Sequence, residues 1–133
     1  MTKEELLSLA FGALENAYAP YSKYRVGACV LCKDGSYFIG ANIENASYGL
    51  TNCGERSAIF AAYSNGYRKN DIAALAIVCE GPSIASPCGA CRQVLSELIG
   101  KDTPIYLANR KAERTTTISE LLPYAFDSEE LDV

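Results

Sequence analysis

Ile72-Ala73-Ala74-Leu75-Ala76-Ile77-Val78-Cys79 is an unbroken apolar run set between Asp71 and Glu80. A strand with one face in water alternates apolar and polar residues, whereas a continuous run of this length is that of a strand buried on both faces. Something must cover each face. Residues 54–65 upstream and 88–99 downstream read as helices, closed by Gly66 and Gly100 at the position where glycine ends a helix.

Further out, residues 26–32 read as a strand, Lys33-Asp34-Gly35 as a tight turn, and residues 37–43 as the antiparallel partner. A first helix is predicted over residues 2–18, opened by a Thr2/Glu5 capping box and ended by Pro20. Leu6, Leu9 or Ala10, Ala13 or Leu14, and Ala17 give it one apolar face. Residues 104–108 form the next strand. The turn over 109–114 is too short for a crossover, so Thr115-Thr116-Thr117 should return antiparallel. Thr117 with Glu120 reads as a second capping box for a brief helix that Pro123 stops. The acidic tail from Asp127 is expected to be exposed.

Alternating strands and helices predict an α/β fold: three layers, α/β/α, around a five-stranded mixed sheet with a parallel centre and antiparallel edge strands, and with residues 37–43 and 72–79 as neighbouring parallel strands whose carboxyl ends carry the two cysteine-bearing segments. One domain over residues 1–133 is expected, because 133 residues can bury a core without cross-links. With 49% apolar and 21% charged residues the composition is that of a globular enzyme. No apolar run is long enough to span a membrane. The start, Thr2-Lys3-Glu4-Glu5, does not read as a signal peptide, so a cytoplasmic protein is expected. A net charge of −4 argues against a nucleic-acid partner, which needs clustered Lys and Arg. Arg68-Lys69 and Arg110-Lys111 read as solvated turns.

The six cysteines divide by position. Cys29, Cys32 and Cys79 lie inside apolar strands. Cys29 and Cys32 point to opposite faces of theirs, so they read as core residues and not as a metal pair. Cys53 heads Cys53-Gly54-Glu55, and Cys88 and Cys91 belong to Pro87-Cys88-Gly89-Ala90-Cys91, each motif opening a helix. Residues three apart on a helix face the same way, and helix N-termini favour thiolates. Three thiolates fit one tetrahedral zinc and leave its fourth position open, as catalytic zinc requires. A structural zinc would need a fourth ligand, and the chain has no histidine. Glu55, two residues past a ligand, can reach the open position as a general acid and base. Three thiolates on a dication leave a net negative charge. Arg56 and Arg92, each directly following a motif, are expected to place guanidinium groups beside the sulfurs and offset it.

These motifs, with Tyr18-Ala19-Pro20-Tyr21-Ser22, Val26-Gly27-Ala28, Gly40-Ala41-Asn42-Ile43-Glu44-Asn45-Ala46 and Leu121-Leu122-Pro123, run over nearly the whole chain. Together they resemble the small, homotetrameric cytidine deaminases of the cytidine/deoxycytidylate deaminase family. The resemblance implies one Zn2+ per subunit and hydrolytic deamination of cytidine, and of deoxycytidine, in pyrimidine salvage. It implies that Asn42 and Glu44 hold the ribose, that the loop through Ile43, Asn45, Ala46, Ser47 and Tyr48 lines the pocket, and that the Gly54 N–H bonds the pyrimidine. It further implies that Phe126 closes a neighbouring subunit's site. The partners implied are a small nucleoside and copies of the same chain, with no nucleic acid or membrane. Tyr24 stands where the family has Phe, adding a hydroxyl at the pocket edge, and Gly54 replaces a more usual Ala. Two alternatives share the zinc motifs: a deaminase of a cytosine-bearing antibiotic such as blasticidin S, and a non-catalytic zinc-stabilised binding module with a closed metal site.

Overall fold

The computed structural model describes residues 1–126. Its elements run α1 (Lys3–Leu14), β1 (Val26–Cys32), β2 (Tyr37–Ala41), α2 (Gly54–Ser64), β3 (Ile72–Cys79), α3 (Gly89–Leu98), β4 (Ile105–Ala108), β5 (Glu113–Thr116) and α4 (Ile118–Leu121). The acidic segment from Asp127 lies outside the described residues. The five strands make one sheet in the order β2-β1-β3-β4-β5.

The apolar run Ile72–Cys79 is β3, the middle strand, and it is covered on both faces. Leu75 and Ile77 point into a cluster with Ala58, Ile59 and Ala62 of α2, Leu95 of α3 and Ile118 of α4. Ala74, Ala76 and Val78 point the other way, against Leu6, Leu7, Ala10 and Leu14 of α1. Three layers result. Burying a Leu or Ile side chain fully stabilises by about 1.5–3 kcal/mol, and Leu75, Leu95, Ile99, Ile105 and Leu107 are each fully buried. Cys29 joins the α1 side and Cys32 the α2/α3 side, the opposite-face placement expected of a strand pair.

Only β3 and β4 pair in parallel; β1 pairs antiparallel with both β2 and β3, and β4 with β5. The two motif-bearing strands, β2 and β3, run the same way but are not neighbours, because β1 lies between them. The burial patterns give the reason. β1 is apolar on both faces and belongs inside the sheet, whereas β2 alternates exposed with partly buried residues and suits an edge. The start of β1 therefore lies beside the ends of β2 and β3: Gly27 is opposite Ala41, and Val26 is opposite Cys79.

Helix α1 stops at Leu14, short of the predicted Tyr18. The chain beyond it is drawn into extended pairing, with Tyr18 N–H donating to the Asn42 carbonyl at 2.9 Å and Glu44 N–H to the Tyr18 carbonyl at 2.8 Å. The Thr2/Glu5 capping box is present. At Thr117 only one half forms, Glu120 N–H donating to the threonine hydroxyl. Strand β2 ends at Ala41 instead of Ile43. Ile43 then pairs with Asn52 through reciprocal N–H to carbonyl bonds of 2.9 Å, pinching off the loop between them. That pinch sets Asn42 beside Cys53.

Candidate metal centre and pocket

The polypeptide is brought to the site by close backbone packing. A Cβ built on Gly40 of β2 would stand 2.4 Å from the Ala58 nitrogen and 2.7 Å from the Gly54 carbonyl oxygen. Only glycine lets α2 rest this close to the edge strand. Cys53 is the N-cap of α2, and Cys88 is the N-cap of α3. The positive ends of both helix dipoles thus point at their sulfurs.

The sulfurs of Cys53, Cys88 and Cys91 all lie within 4.8 Å of one another, the one such potential metal-holding group among the described residues. The Cys88 and Cys91 sulfurs are 3.5 Å apart. Tetrahedral zinc with Zn–S bonds of about 2.3 Å sets its sulfurs about 3.8 Å apart, so the three thiols fit that ion with little movement. No fourth described side chain joins the group.

Protonation within the cluster follows from the crowding. The Cys91 hydrogen bond, helped by the Arg56 guanidinium and opposed by burial, holds the Cys53 thiol down at about 5. Cys91 is pushed strongly upward, by its hydrogen bond with Cys53 first and by burial next. The sulfurs compete for one proton, and a divalent cation among them displaces it. Arg56 Nη2 donates to Cys53 Sγ at 3.2 Å, which raises its own affinity for its proton. Arg56 Nε is buried without a hydrogen-bond partner among the described residues. Arg92 departs from the expectation. Its guanidinium donates to the carbonyls of Pro87 at 2.8 Å and Leu121 at 2.7 Å, not to a sulfur. It ties the start of α3 to α4.

Glu55 is 4% exposed, and its carboxyl accepts from Cys91 Sγ at 2.8 Å. Burial, with the Cys53 charge adding, pushes this carboxyl up to about 7. A group poised there can both take and give a proton near neutrality.

A cleft of about 200 Å³ opens onto these groups. Tyr24, Val26, Asn42, Thr51, Cys53, Gly54, Glu55, Ile77, Ala85, Ser86, Pro87 and Cys88 line it. None of them is Lys or Arg. Of the residues singled out in the sequence, Asn42, Tyr24 and Gly54 meet here. Asn42 is held rigid: its Oδ1 accepts from Val26 N–H at 2.9 Å, and its Nδ2 donates to the Tyr24 carbonyl at 2.8 Å. Gly54, first residue of α2, carries an N–H that the helix leaves free.

Glu44 is buried next to this wall without lining it. Its carboxylate accepts from the N–H groups of Tyr21 and Ser22, each at 3.0 Å, and from the Ser22 hydroxyl. These bonds, the Ser22 hydroxyl foremost, hold its carboxyl below the usual carboxylate range. Ile43, Asn45, Ala46, Ser47 and Tyr48 are exposed and do not line the pocket of their own chain. Nor does Phe126, which is 57% exposed while its carbonyl accepts from Gln93 Nε2 at 2.8 Å. Val26, Thr51, Ile77, Ala85 and Ser86 line the pocket but were not named from the sequence as site residues. Val26 could have been found only by knowing that β1 sits between β2 and β3. The adjacency of Thr51 to Cys53 and of Ser86 to Pro87 was the one signal for those two.

Comparison with known proteins agrees with this geometry. Residues 1–107 match the family model described as the cytidine and deoxycytidylate deaminase zinc-binding region. A cytidine deaminase of Halalkalibacterium halodurans is 52% identical over 133 residues, covering 99% of each chain. One from Sporosarcina psychrophila is 47% identical, covering 98% of this chain and 96% of that one. The crystal structure of cytidine deaminase from Burkholderia pseudomallei superposes with a TM-score of 0.92 at 48% identity, covering 95% of this chain and 100% of that one.

Proposed function

The chain belongs to the cytidine and deoxycytidylate deaminase family, and from that premise we infer that it hydrolyses cytidine and deoxycytidine to the uridine products and ammonia, in pyrimidine salvage. One observation carries the reading: a buried carboxyl, Glu55, stands against a three-thiol cage that opens into an uncharged pocket.

Zinc held by Cys53, Cys88 and Cys91 supplies, when bound, Lewis-acid activation of the attacking water. Glu55 accepts the proton that this water releases as it adds to C4. It delivers that proton to ring N3, then takes the second proton from the new C4 hydroxyl and passes it to the amino group; the C4–N bond breaks as the C4 carbonyl forms, so cytosine and water become uracil and ammonia. The Gly54 N–H, aimed from the start of α2, donates to the pyrimidine. Arg56 withdraws charge from Cys53 and offsets the excess of three thiolates over one dication. Asn42 and Glu44 hold the sugar. The three donors already on Glu44 leave one of its roughly four lone-pair sites for a hydroxyl.

The absence of Lys and Arg from the lining favours a nucleoside over a nucleotide, whose phosphate would find no partner there. Four copies assemble, with Tyr48, Leu50, Phe60 and Phe126, all exposed here, covered by neighbours and Phe126 completing an adjacent site. No described helix is long and apolar enough to cross a membrane, in keeping with a cytoplasmic place of work.

Loss of absorbance in the cytidine band, with zinc measured in the same sample, tests this reading. Glu55→Gln should keep its zinc while turnover falls by about 10² to 10⁴. Near-normal turnover by that variant, or equal turnover of cytidine 5′-monophosphate, would overturn it.

A further inference from the structure

Tyr24 forms one wall of the pocket, and its backbone is fixed by Asn42 at the carbonyl and by the Ser22 hydroxyl at the N–H. What fixes its ring is the segment leaving β3. A Cβ built on Gly81 would stand 2.8 Å from Tyr24 Cε2 and 3.1 Å from its hydroxyl oxygen. The hydroxyl-bearing edge of the ring therefore rests in space that a side chain at residue 81 would take. Burial, with a hydrogen bond to the Cys79 thiol, pushes the Tyr24 phenol up to about 12, so it stays protonated in the working range.

Gly81 is itself clamped. Asn109, which is buried at the end of β4, donates through Nδ2 to the Gly81 carbonyl at 3.2 Å. The Asn109 Oδ1 is taken by the N–H groups of Lys111 and Ala112, which prevents the amide from turning over. On the other side, Arg25 pairs with Glu80, one residue before Gly81. A buried amide just past the end of β4 thus anchors the segment against which a pocket side chain rests.

We propose that Gly81, anchored by Asn109, is a positioning residue that sets where the Tyr24 ring stands in the nucleoside site and so sets affinity for the nucleoside. This rests on the deaminase reading above. In Gly81→Ala the ring must retreat by roughly 0.6 Å to regain ordinary contact, and it can do so only by entering the cleft or swinging out of it. Glu55 and the three thiols do not touch this segment, so affinity should change and the chemical step should not.

Steady-state deamination of cytidine, with the dissociation constant of uridine measured by calorimetry on zinc-loaded protein, tests this. Gly81→Ala should raise KM and the uridine dissociation constant about five-fold, with kcat within about two-fold of the parent. Asn109→Asp keeps both acceptor bonds to Lys111 and Ala112 but loses the donor to Gly81, and should move the same quantities the same way. In a Tyr24→Leu background both substitutions should change KM by less than about 1.5-fold, because the ring through which they act is gone. Equal effects in the two backgrounds, or an unchanged KM in Gly81→Ala, would overturn the positioning role while leaving the deaminase reading intact. A parent protein that deaminates no cytosine nucleoside would overturn both.

Discussion

Replacing Gly40 with alanine asks whether the seat of α2 on the edge strand holds the reacting groups in place. The new methyl would stand 2.4 Å from the Ala58 nitrogen, 2.7 Å from the Gly54 oxygen and 2.9 Å from the Ser57 carbonyl carbon. All three are backbone atoms, so no side chain can swing away. Restoring contacts of 3.4 Å or more requires α2 to move by about 1 Å relative to β2. Overpacking of this kind costs about 1–3 kcal/mol, which lowers the melting temperature of a domain this size by about 3–12 °C. Cys53 and Glu55 travel with the helix, and a misplacement of about 1 Å can cost about 10²-fold in rate. Thermal denaturation and cytidine turnover of Gly40→Ala should therefore both fall. Gly12→Ala is the control: nothing lies within 4 Å of its built Cβ, and it sits inside α1. It should stabilise by up to about 1 kcal/mol with turnover unchanged. A Gly40→Ala protein with parental melting temperature and turnover would refute the reasoning.

Other outcomes follow from the same contacts. Arg56→Gln removes the charge-assisted bond to Cys53, a loss of about 1.5–3 kcal/mol, and should lower turnover about 10- to 100-fold while zinc content, measured by atomic emission, changes less. Arg92→Ala frees the Pro87 and Leu121 carbonyls, so it should lower the melting temperature without the specific loss of kcat seen for Arg56→Gln. Glu44 has a folded-state pKa below its unfolded value. Its contribution to stability is therefore present above the ordinary carboxylate range and lost as pH falls through the folded value. Glu44→Gln should lower the melting temperature at neutral pH, and its difference from the parent should shrink steadily on acidification below about pH 4.5. A difference that grows toward acid would contradict the sign.

The chemistry of this chain was more legible in its sequence than its topology. Cys53, Cys88 and Cys91 announced themselves because helix N-termini concentrate thiolates and because no histidine competed with them. Their convergence followed from the fold class alone. The place of β1 did not, because helical crossovers suggested that β2 and β3 are neighbours. The burial of Val26–Cys32 on both faces, against the alternation of Tyr37–Ala41, held that information, and it decides which strand is inside. Arg92 shows the opposite limit. Its position after a motif mirrors that of Arg56, yet it stands four residues past its N-cap cysteine where Arg56 stands three, and that one-residue change of helical phase and the proximity of α4 direct its guanidinium to carbonyls instead of sulfur. The Gly81–Asn109 contact joins residues 28 apart in sequence across two strands, and no local pattern marks it. Likewise, Ile43, Asn45, Ala46, Ser47, Tyr48 and Phe126 face outward from a single chain, so their proposed service to a site belongs to an assembly and not to one fold.

Chelator-stripped protein titrated with zinc, with cytidine deamination read at each addition, puts the open thiol cage to the test. Turnover should be absent at the start, rise linearly, and level off at one zinc per chain, while Cys88→Ser should neither bind at that stoichiometry nor turn over. Full turnover by metal-free protein, or a saturated metal site with no deamination of any cytosine nucleoside, would contradict it.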